Sequence, residues 1–289
     1  MTTATIAKAS RPVSRGRAVD TLADRYNDAG WFPTMSLDPS GPDWIRLADL
    51  LADGGAALAD TMRGYGERVG SPPETIAAHF AGWIAGSFVR PLVWAYTTQR
   101  WVPLFTGDGI VLHRAPGGWF DQLAPGEPVL AVLASDPLAD QSVAGARPVE
   151  STDELRRLLA GTVTTLATPV VETLKALSRL GRRTLWALVS DTVASAFLMG
   201  DQVGPASRRA AAEAARVLAL GGPLNVRRRW VYAQGPHTYG TVPVAAACCL
   251  AYKTPDGGYC ERVCPKLDEQ TRREQVSGWL ADLSRSPHA

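Results

Sequence analysis

The sequence predicts an α+β fold, in which a helix-rich main domain with a small sheet precedes a small C-terminal arm and a closing helix. Apolar residues repeat at helical spacing in several long segments. Short apolar runs bounded by glycine and proline lie between these segments and are typical of strands. All four cysteines lie close together near the C-terminus, in a stretch of different composition. We therefore expect residues 19–225 to form the main domain and residues 226–289 to form the arm.

Composition narrows the class of protein. The chain has 289 residues, of which 46% are hydrophobic and 20% charged, as in ordinary globular proteins with a sizeable core. A net charge of +2 gives no overall attraction to nucleic acid, so no such partner is expected. Residues 1–18 are basic and contain no acid, which predicts a disordered basic tail. The most apolar stretch, Phe80–Val89, is short and runs into Arg90-Pro91, so we expect no transmembrane segment.

Helices are predicted over most of the first hundred residues. Gly30–Gly41 is expected to be a loop, and Asp43–Val69 to be helical with a break near Gly54-Gly55. The next helix should begin at Ser71-Pro72-Pro73-Glu74, where serine caps the helix and glutamate completes a capping box. Pro91 is expected to kink or end this helix. Its apolar face at helical spacing consists of Ile76, Phe80, Trp83, Ile84 and Phe88.

The middle of the chain favours strands and the following part favours helices again. Two strands, at Gly109–His113 and Pro128–Leu133, are predicted on either side of a turn at Ala115–Gly118. Three helices should follow, and proline at position 169 should bend the first of them. Thr152 is expected to cap that first helix. The other two are predicted over Arg182–Leu198 and Ser207–Leu220.

The C-terminal arm combines extended segments with a strong turn. Val226–Ala233 and Thr241–Tyr252 are predicted to be extended, and Trp230 and Tyr232 are assigned to the core by their alternation. Pro255–Gly258 predicts a turn, and a final helix is expected from Pro265 to Leu283. The arginines Arg227, Arg228 and Arg229 are equally compatible with a site for an anionic substrate or acidic electron donor and with a charged strand edge.

The four cysteines predict a metal centre. Cys248, Cys249, Cys260 and Cys264 supply the four thiolates that a zinc ion or an iron–sulfur cluster requires. Neighbouring residues on a strand point to opposite faces, so both Cys248 and Cys249 can serve only if the backbone turns there. A two-iron cluster is wider than a single ion, and this spacing therefore favours it while leaving zinc open. The turn should bring Cys260 back toward Cys249, and Cys264 should cap the final helix, where the dipole favours a thiolate.

The cysteine segment CCLAYKTPDGGYCERVC resembles the C-terminal cluster motif of the FhuF-like ferric-siderophore reductases. GRRTLWALVSDTVASAFL is similar to a helix of that family's larger domain. The resemblance implies that the four cysteines, Cys248, Cys249, Cys260 and Cys264, ligate a 2Fe-2S cluster. This sequence has a C-x3-C pair at its end, where the family usually has C-x2-C, so one extra residue must be accommodated.

The resemblance also implies a function. It indicates one-electron reduction of Fe(III) in a siderophore, a reaction that needs no base or nucleophile. The siderophore is expected to be of hydroxamate type, and the electron donor to be a separate ferredoxin-like protein or reduced flavin, since no nucleotide-binding motif is present. We expect a monomer in the cytoplasm or at the inner face of the membrane. Two alternatives remain: a regulatory module that binds zinc through its four cysteines, and a 2Fe-2S electron carrier for a partner enzyme.

Overall fold

The computed structural model describes residues 17–139, 143–200, 203–236 and 238–285, with side chains described as far as Asp282. Helices account for 55% of the structure and strands for 15%, which confirms the α+β prediction. The predicted basic tail lies almost entirely outside the described residues. Its last two residues are described, and Ala18 begins the first helix.

The N-terminal segment forms a helix, two short strands and a broken helical hairpin. The predicted helix over Asp43–Val69 is correct from Leu47 onward, but the residues before it pair with a later strand instead. Two glycines, Gly54 and Gly55, have positive φ angles of 67° and 81°, which explains the predicted break. The elements are α1 (Ala18–Asp28), β1 (Thr34–Met35), β2 (Trp44–Arg46), α2 (Leu47–Leu51) and α3 (Ala56–Val69).

The central helix α4 (Pro73–Trp94) begins and ends differently from the prediction. Ser71 does not cap it, because the Ser71 hydroxyl donates back to the Val69 carbonyl and Pro72 occupies the cap position. Pro91 does not end it, since the helix continues to Trp94 and then into a π-helical turn, Ala95–Gln99. Proline removes a single backbone hydrogen bond, and dense burial of the helix offsets that loss.

By length and composition alone, the same central helix could span a membrane. The prediction of no transmembrane segment considered only the shorter apolar run Phe80–Val89. The segment Pro73–Gln99 has a mean hydropathy of 1.2 over its most apolar window, and 78% of that window is buried within the protein. Its apolar surface is thus used for packing against other helices of the core.

Two small sheets flank the helices. Their further strands are β3 (Trp101–Leu104), β4 (Val111–Arg114), β5 (Phe120–Ala124), β6 (Val129–Leu133) and β7 (Ala146–Val149). In the first sheet, β4 pairs antiparallel with β2 and with β5, and β1 pairs parallel with β5. In the second sheet, β6 pairs antiparallel with β3 and parallel with β7. The two predicted strands and the turn between them are confirmed, but β3, β5 and β7 were missed.

Three long helices complete the main body around α4. They are α5 (Thr152–Leu177), α6 (Arg182–Leu198) and α7 (Gly204–Leu220). The prediction for α6 is correct at both ends. Ser151, rather than the predicted Thr152, caps α5, because its hydroxyl accepts the Glu154 N–H at 3.2 Å. The helix α5 also continues through its internal proline.

The arm consists of a two-stranded hairpin, an irregular cysteine loop and the closing helix. The strands β8 (Arg229–Gln234) and β9 (Tyr239–Val244) pair antiparallel, and α8 (Glu269–Arg285) packs on them around a small separate core. The second extended segment ends at Val244, well before the predicted Tyr252, because the chain turns toward the cysteines. Tyr232 is 54% exposed and is not a core residue. The predicted domain boundary after residue 225 stays a prediction.

The final helix begins at Glu269 and not at Pro265. Asp268 caps it, since its carboxylate accepts the Thr271 N–H at 2.8 Å. Cys264 lies in the turns before the helix, so the predicted cap position and dipole effect for this cysteine are wrong.

Candidate functional site

An aspartate of α6 fixes the point where the chain enters the cysteine loop. The Asp191 carboxylate accepts the N–H groups of Ala246 at 2.8 Å and Ala247 at 3.1 Å, directly before Cys248. It also forms an ion pair with Arg228, whose side chain is only 3% exposed. Burial raises the pKa of Asp191, and the Arg228 guanidinium with the two N–H groups opposes that rise. The main body thereby holds the loop by its backbone.

The backbone then turns sharply after the adjacent cysteines. Leu250 has a left-handed φ of 62°, an uncommon conformation for a residue with a side chain. Its N–H donates to the Cys248 sulfur at 3.4 Å. The backbone therefore does turn at the adjacent pair, as the use of both sulfurs requires.

The predicted turn does bring the third cysteine back to the second. The Sγ atoms of Cys249 and Cys260 lie 3.0 Å apart. The turn between them depends on Gly257, where an added Cβ would lie 1.9 Å from the Ala251 carbonyl oxygen and 2.0 Å from the Thr254 hydroxyl oxygen. Only glycine fits there, so this residue controls the approach of the two sulfurs.

The C-x3-C pair is accommodated by one tight, non-helical turn. The Cys264 N–H donates to the Cys260 carbonyl at 3.2 Å and closes the turn. Arg262, in the middle of the turn, has a left-handed φ of 56°, so the backbone departs from α-helical geometry there. Cys260 and Cys264 nevertheless line the same cavity, so the extra residue is absorbed without turning the two cysteines away from each other.

The closing helix α8 holds this turn from behind. Gln275 accepts the Arg262 N–H at 2.9 Å, and the Arg262 guanidinium lies 4.7 Å from the Trp279 ring centroid. The fully buried Arg272 donates to the carbonyls of Cys264 and Leu267, each at 2.7 Å. The helix therefore satisfies the loop's backbone groups as well as covering it.

The sulfurs differ in how readily they lose their protons. The contact with Cys260 and a hydrogen bond from His79 of α4 lower the pKa of Cys249 to about 4. The same contact, together with burial, strongly raises the pKa of Cys260. The negative charges of Cys248 and Cys264 raise it further. Burial also raises the pKa of Cys248, partly offset by the Leu250 N–H. Of the thiols of Cys249 and Cys260, that of Cys249 therefore loses its proton more readily.

A cavity of about 370 Å³ adjoins the cysteines. Its walls come from α4, α6 and the arm, and most of its lining is apolar. Three of the four cysteines, Cys249, Cys260 and Cys264, contribute to one part of the lining. The remaining wall includes His79, Gly82, Trp83, Arg90, Leu188, Thr192, Ser195 and Met199.

The donor set suits an iron–sulfur cluster. Four sulfur atoms are the ligands such clusters take, and N–H groups aimed at sulfur, such as that of Leu250, tune their reduction potential. The Cys249–Cys260 contact brings two of the four sulfurs together. Among the residues that the structure describes, no three His, Cys, Asp or Glu side chains, the four cysteines included, are arranged to hold one metal ion.

The predicted arginines separate into two kinds. Arg227 and Arg229 are exposed, as a substrate or donor contact requires, and their role stays a prediction. Arg228 is instead buried against Asp191, so it stabilises the arm and is a poor candidate for substrate contact. His237, a histidine that precedes the cysteine segment in the sequence and belongs to no spaced histidine motif, lies outside the described residues.

Three site residues were not predicted from the sequence: His79, Arg90 and Asp191. Each is a polar side chain within an otherwise apolar helix, and this is the signal that could have found them. None of the three belongs to a spaced histidine pair or a run of arginines, so no motif distinguishes them along the chain.

A scan against known families places residues 78–234 in a family described as "FhuF: Ferric iron reductase FhuF-like transporter". That segment is just over half of the chain and runs from α4 to the end of β8. This protein belongs to the FhuF-like family. The family description identifies it as a ferric iron reductase, and therefore as an oxidoreductase acting on iron. No curated protein sequence matches the chain significantly.

The family match covers one wall of the site and not the other. It includes His79, Arg90 and Asp191, which line the cavity. It ends before β9 and the four cysteines. The FhuF-like assignment thus rests on the helical body and does not extend to the four cysteines.

Proposed function

We propose that this FhuF-like protein is a 2Fe-2S ferric-siderophore reductase that carries out one-electron reduction of siderophore-bound iron. The observation that carries the proposal is the placement of three of the four cysteines, Cys249, Cys260 and Cys264, at one side of a cavity in a member of a ferric iron reductase family. A cluster bound there would supply the single electron. The chain itself supplies the sulfur ligands, the N–H groups that tune them, and a cavity that admits the substrate.

The proposed substrate is Fe(III) held by a hydroxamate siderophore. Reduction consumes one electron from the protein and converts Fe(III) to Fe(II), without breaking a covalent bond of the siderophore. Hydroxamates bind Fe(II) far more weakly than Fe(III), so the iron is then released. Reoxidised protein is reduced again by a separate donor, for which we propose a ferredoxin-like protein or a reduced flavin in the cytoplasm.

The cofactor is tested on the purified protein. We expect a brown protein with about two irons and two acid-labile sulfides per chain. Reduction with dithionite should produce the electron paramagnetic resonance signal of a reduced 2Fe-2S cluster. A colourless protein with one zinc and no sulfide would instead establish the zinc-binding module.

The reaction is tested by rapid mixing under anaerobic conditions. Dithionite-reduced protein, freed of excess reductant, is mixed with a ferric trihydroxamate in the presence of an Fe(II)-specific chelator. We expect cluster oxidation and Fe(II) release in equal amounts. A reduced cluster that stays reduced with every ferric chelate tried, yet is oxidised by a partner protein, would identify an electron carrier.

A further inference from the structure

One end of the α4 wall of the cavity contains an arginine for which the described residues supply no acidic partner. Arg90 of α4 lines the cavity, and its guanidinium donates to the Phe32 carbonyl at 3.3 Å. No described carboxylate forms an ion pair with it. Burial lowers the pKa of Arg90. A partly buried cation without a counter-ion favours a ligand rich in oxygen acceptors.

Two glycines of α4 make the space in front of this arginine. An added Cβ at Gly82 would meet no atom within 4 Å, so the helix faces open space there. At Gly86 it would lie 3.6 Å from the central guanidinium carbon of Arg90, which shows that the side chain folds back along the helix. Glycine is less favourable than alanine inside a helix, and here it leaves the cavity open.

The cavity is too long to be filled by the metal centre alone. Its α4 wall runs from Ala78 to Arg90, which is about 18 Å along the helix axis at 1.5 Å per residue. His79, near one end of this wall, lines the cavity together with Cys249. The folded-back guanidinium lies about 10 Å farther along, at the level of Gly86. Space for a ligand therefore remains between the sulfurs and the cation.

A second cavity continues the first on the other side of Arg90. It measures about 240 Å³ and shares Trp83 and Arg90 with the larger cavity. Two of its lining aromatics, Phe32 and Trp119, are 46% and 42% exposed. Large aromatic surfaces open to solvent beside a cavity are typical of ligand-binding sites.

We propose that the iron-bearing head of the chelate binds in the larger cavity between the cysteines and Arg90, with Gly82 opening the site and Arg90 donating to a ligand oxygen. The rest of the chelator lies in the smaller cavity against Phe32 and Trp119. This inference rests on the proposed function and adds to it the position at which the substrate binds. One cation in an apolar lining suits a chelate with little net charge.

The charge argument separates two classes of siderophore. Three monoanionic hydroxamates balance Fe(III), so the chelate is neutral and enters an apolar cavity at small cost. Three dianionic catecholates leave the chelate strongly anionic, and Arg90 alone cannot replace the water that such an ion loses. The cavity therefore selects hydroxamate chelates over catecholate ones.

The test measures binding without electron transfer. Chromium(III) replaces iron, because its chelates exchange ligands slowly and are much harder to reduce. Chromium(III) tris(acetohydroxamate) is titrated into the purified full-length protein by calorimetry. We expect binding to the wild-type protein, and at least about tenfold weaker binding to Gly82→Leu, whose side chain fills the open space. Chromium(III) tris(catecholate) should bind more weakly than the hydroxamate chelate.

Matched controls separate the cavity from general effects of substitution. Gly161→Leu places the same side chain on the exposed face of α5, where a Cβ also meets no atom within 4 Å, and should bind as the wild type does. Arg90→Gln should weaken binding about tenfold and Arg90→Lys less. Arg63→Gln, which removes an arginine of an exposed ion pair on α3, should change nothing. Circular dichroism establishes whether each variant is folded. If Gly82→Leu is unfolded, Gly82→Ala replaces it as a variant with a smaller side chain in the same space.

The outcomes distinguish this inference from the proposed function. If wild-type protein reduces a ferric trihydroxamate but Gly82→Leu and Arg90→Gln bind the chromium chelate normally, the cavity is not the site and the function stands. If the wild type binds the chromium chelate, only the cavity variants lose that binding, and neither wild type nor variants reduce a ferric trihydroxamate, the binding site is supported and the proposed reductase function is wrong. Absence of chromium chelate binding to the wild type overturns the inference.

Discussion

At Gly257 the lack of a side chain decides where a cysteine sulfur lies. The carbonyl of Ala251 and the hydroxyl of Thr254 occupy the space that any Cβ would need. The neighbouring Gly258 has no atom within 4 Å of its own Cβ position. Two adjacent glycines in one turn therefore differ in what they contribute, and the chain offers a matched pair for testing this.

We predict that Gly257→Ala separates Cys249 from Cys260, whereas Gly258→Ala does not. In metal-free protein, sulfurs 3.0 Å apart should form a disulfide quickly when a mild thiol oxidant such as diamide is added. Gly257→Ala should slow this reaction at least several-fold. Mass spectrometry of the digested protein measures the crosslink. Equal rates in the two variants would contradict the role assigned to Gly257.

Single polar residues were the hardest part of the site to predict. The cysteines are evident from their number and spacing, and the turn between them from its glycines. Asp191, His79 and Arg90 are single polar residues on apolar helices, and their spatial neighbours lie far away in sequence. What each one contacts depends on helix packing, which residue patterns along the chain do not encode.

At the scale of elements, α6 links the main body to the arm through Asp191. We predict that Asp191→Asn lowers the free energy of unfolding by about 3–5 kcal/mol, since it leaves the buried Arg228 without a counter-charge. It should also weaken the retention of any metal by the cysteines. Urea denaturation followed by circular dichroism measures the first effect, and metal analysis after gel filtration the second.

The control for that variant is an ion pair on the surface. Glu172→Gln breaks the pair with Arg182, in which both side chains are largely exposed. Such a change should have little effect on the free energy of unfolding, because both charges remain solvated. Similar losses in Asp191→Asn and Glu172→Gln would show that Asp191 is an ordinary surface carboxylate.

A second element-scale prediction concerns the contact of α5, α7 and the π-helical turn. Burial opposes ionisation of Glu213, but hydrogen bonds from Arg156, Tyr96 and Arg216 outweigh it and hold its pKa at about 2. A carboxylate with a lowered pKa stabilises the fold above its unfolded pKa, and that contribution disappears as the pH falls toward 2.

We therefore expect Glu213→Gln to be less stable than the wild type at pH 7 by up to about 3 kcal/mol. The difference should shrink as the pH falls from about 4.5 to 2. Urea titrations across this range measure it. A difference that is independent of pH would mean that the charge of Glu213 contributes nothing.

Long elements were predicted better than short ones. The helices α6 and α7 were found because their apolar residues repeat over several turns. Among the short strands, β4 and β6 were found because they belong to apolar runs bounded by glycine or proline. The strands β3 and β7 contain an internal proline, and β5 contains Asp121 and Gln122, so none of the three stands out as an apolar run. The ends of α4 and α8 were misplaced because proline signals were given more weight than the packing that overrides them.

At the scale of the whole molecule, the buried apolar residues form one large and one small cluster. The small one joins β8, β9 and α8 through Val242, Val276 and Leu280, while the large one includes α4 to α7. Because the clusters are separate, damage in the cysteine loop should leave the helical body folded.

We predict that Cys260→Ser abolishes retention of the proposed cluster but leaves the helical circular dichroism signal within about one-tenth of the wild-type value, because most helices belong to the main body. Gly161→Ala serves as a control that should alter neither property. Full cluster content in Cys260→Ser would show that this sulfur is not a ligand, and collapse of the helical signal would show that the arm is required for folding.

One helix, α6, contributes Asp191 to the backbone of the cysteine loop and Thr192 and Ser195 to the cavity wall. Any shift of this helix therefore moves residues at the cysteine loop and at the cavity wall together. Suppose that oxidation of the proposed cluster changes the affinity of the protein for the chelate by some factor. By thermodynamic linkage, binding of the chelate then changes the oxidation equilibrium of that cluster by the same factor. Substrate binding would then adjust the driving force of its own reduction, with no separate regulatory site.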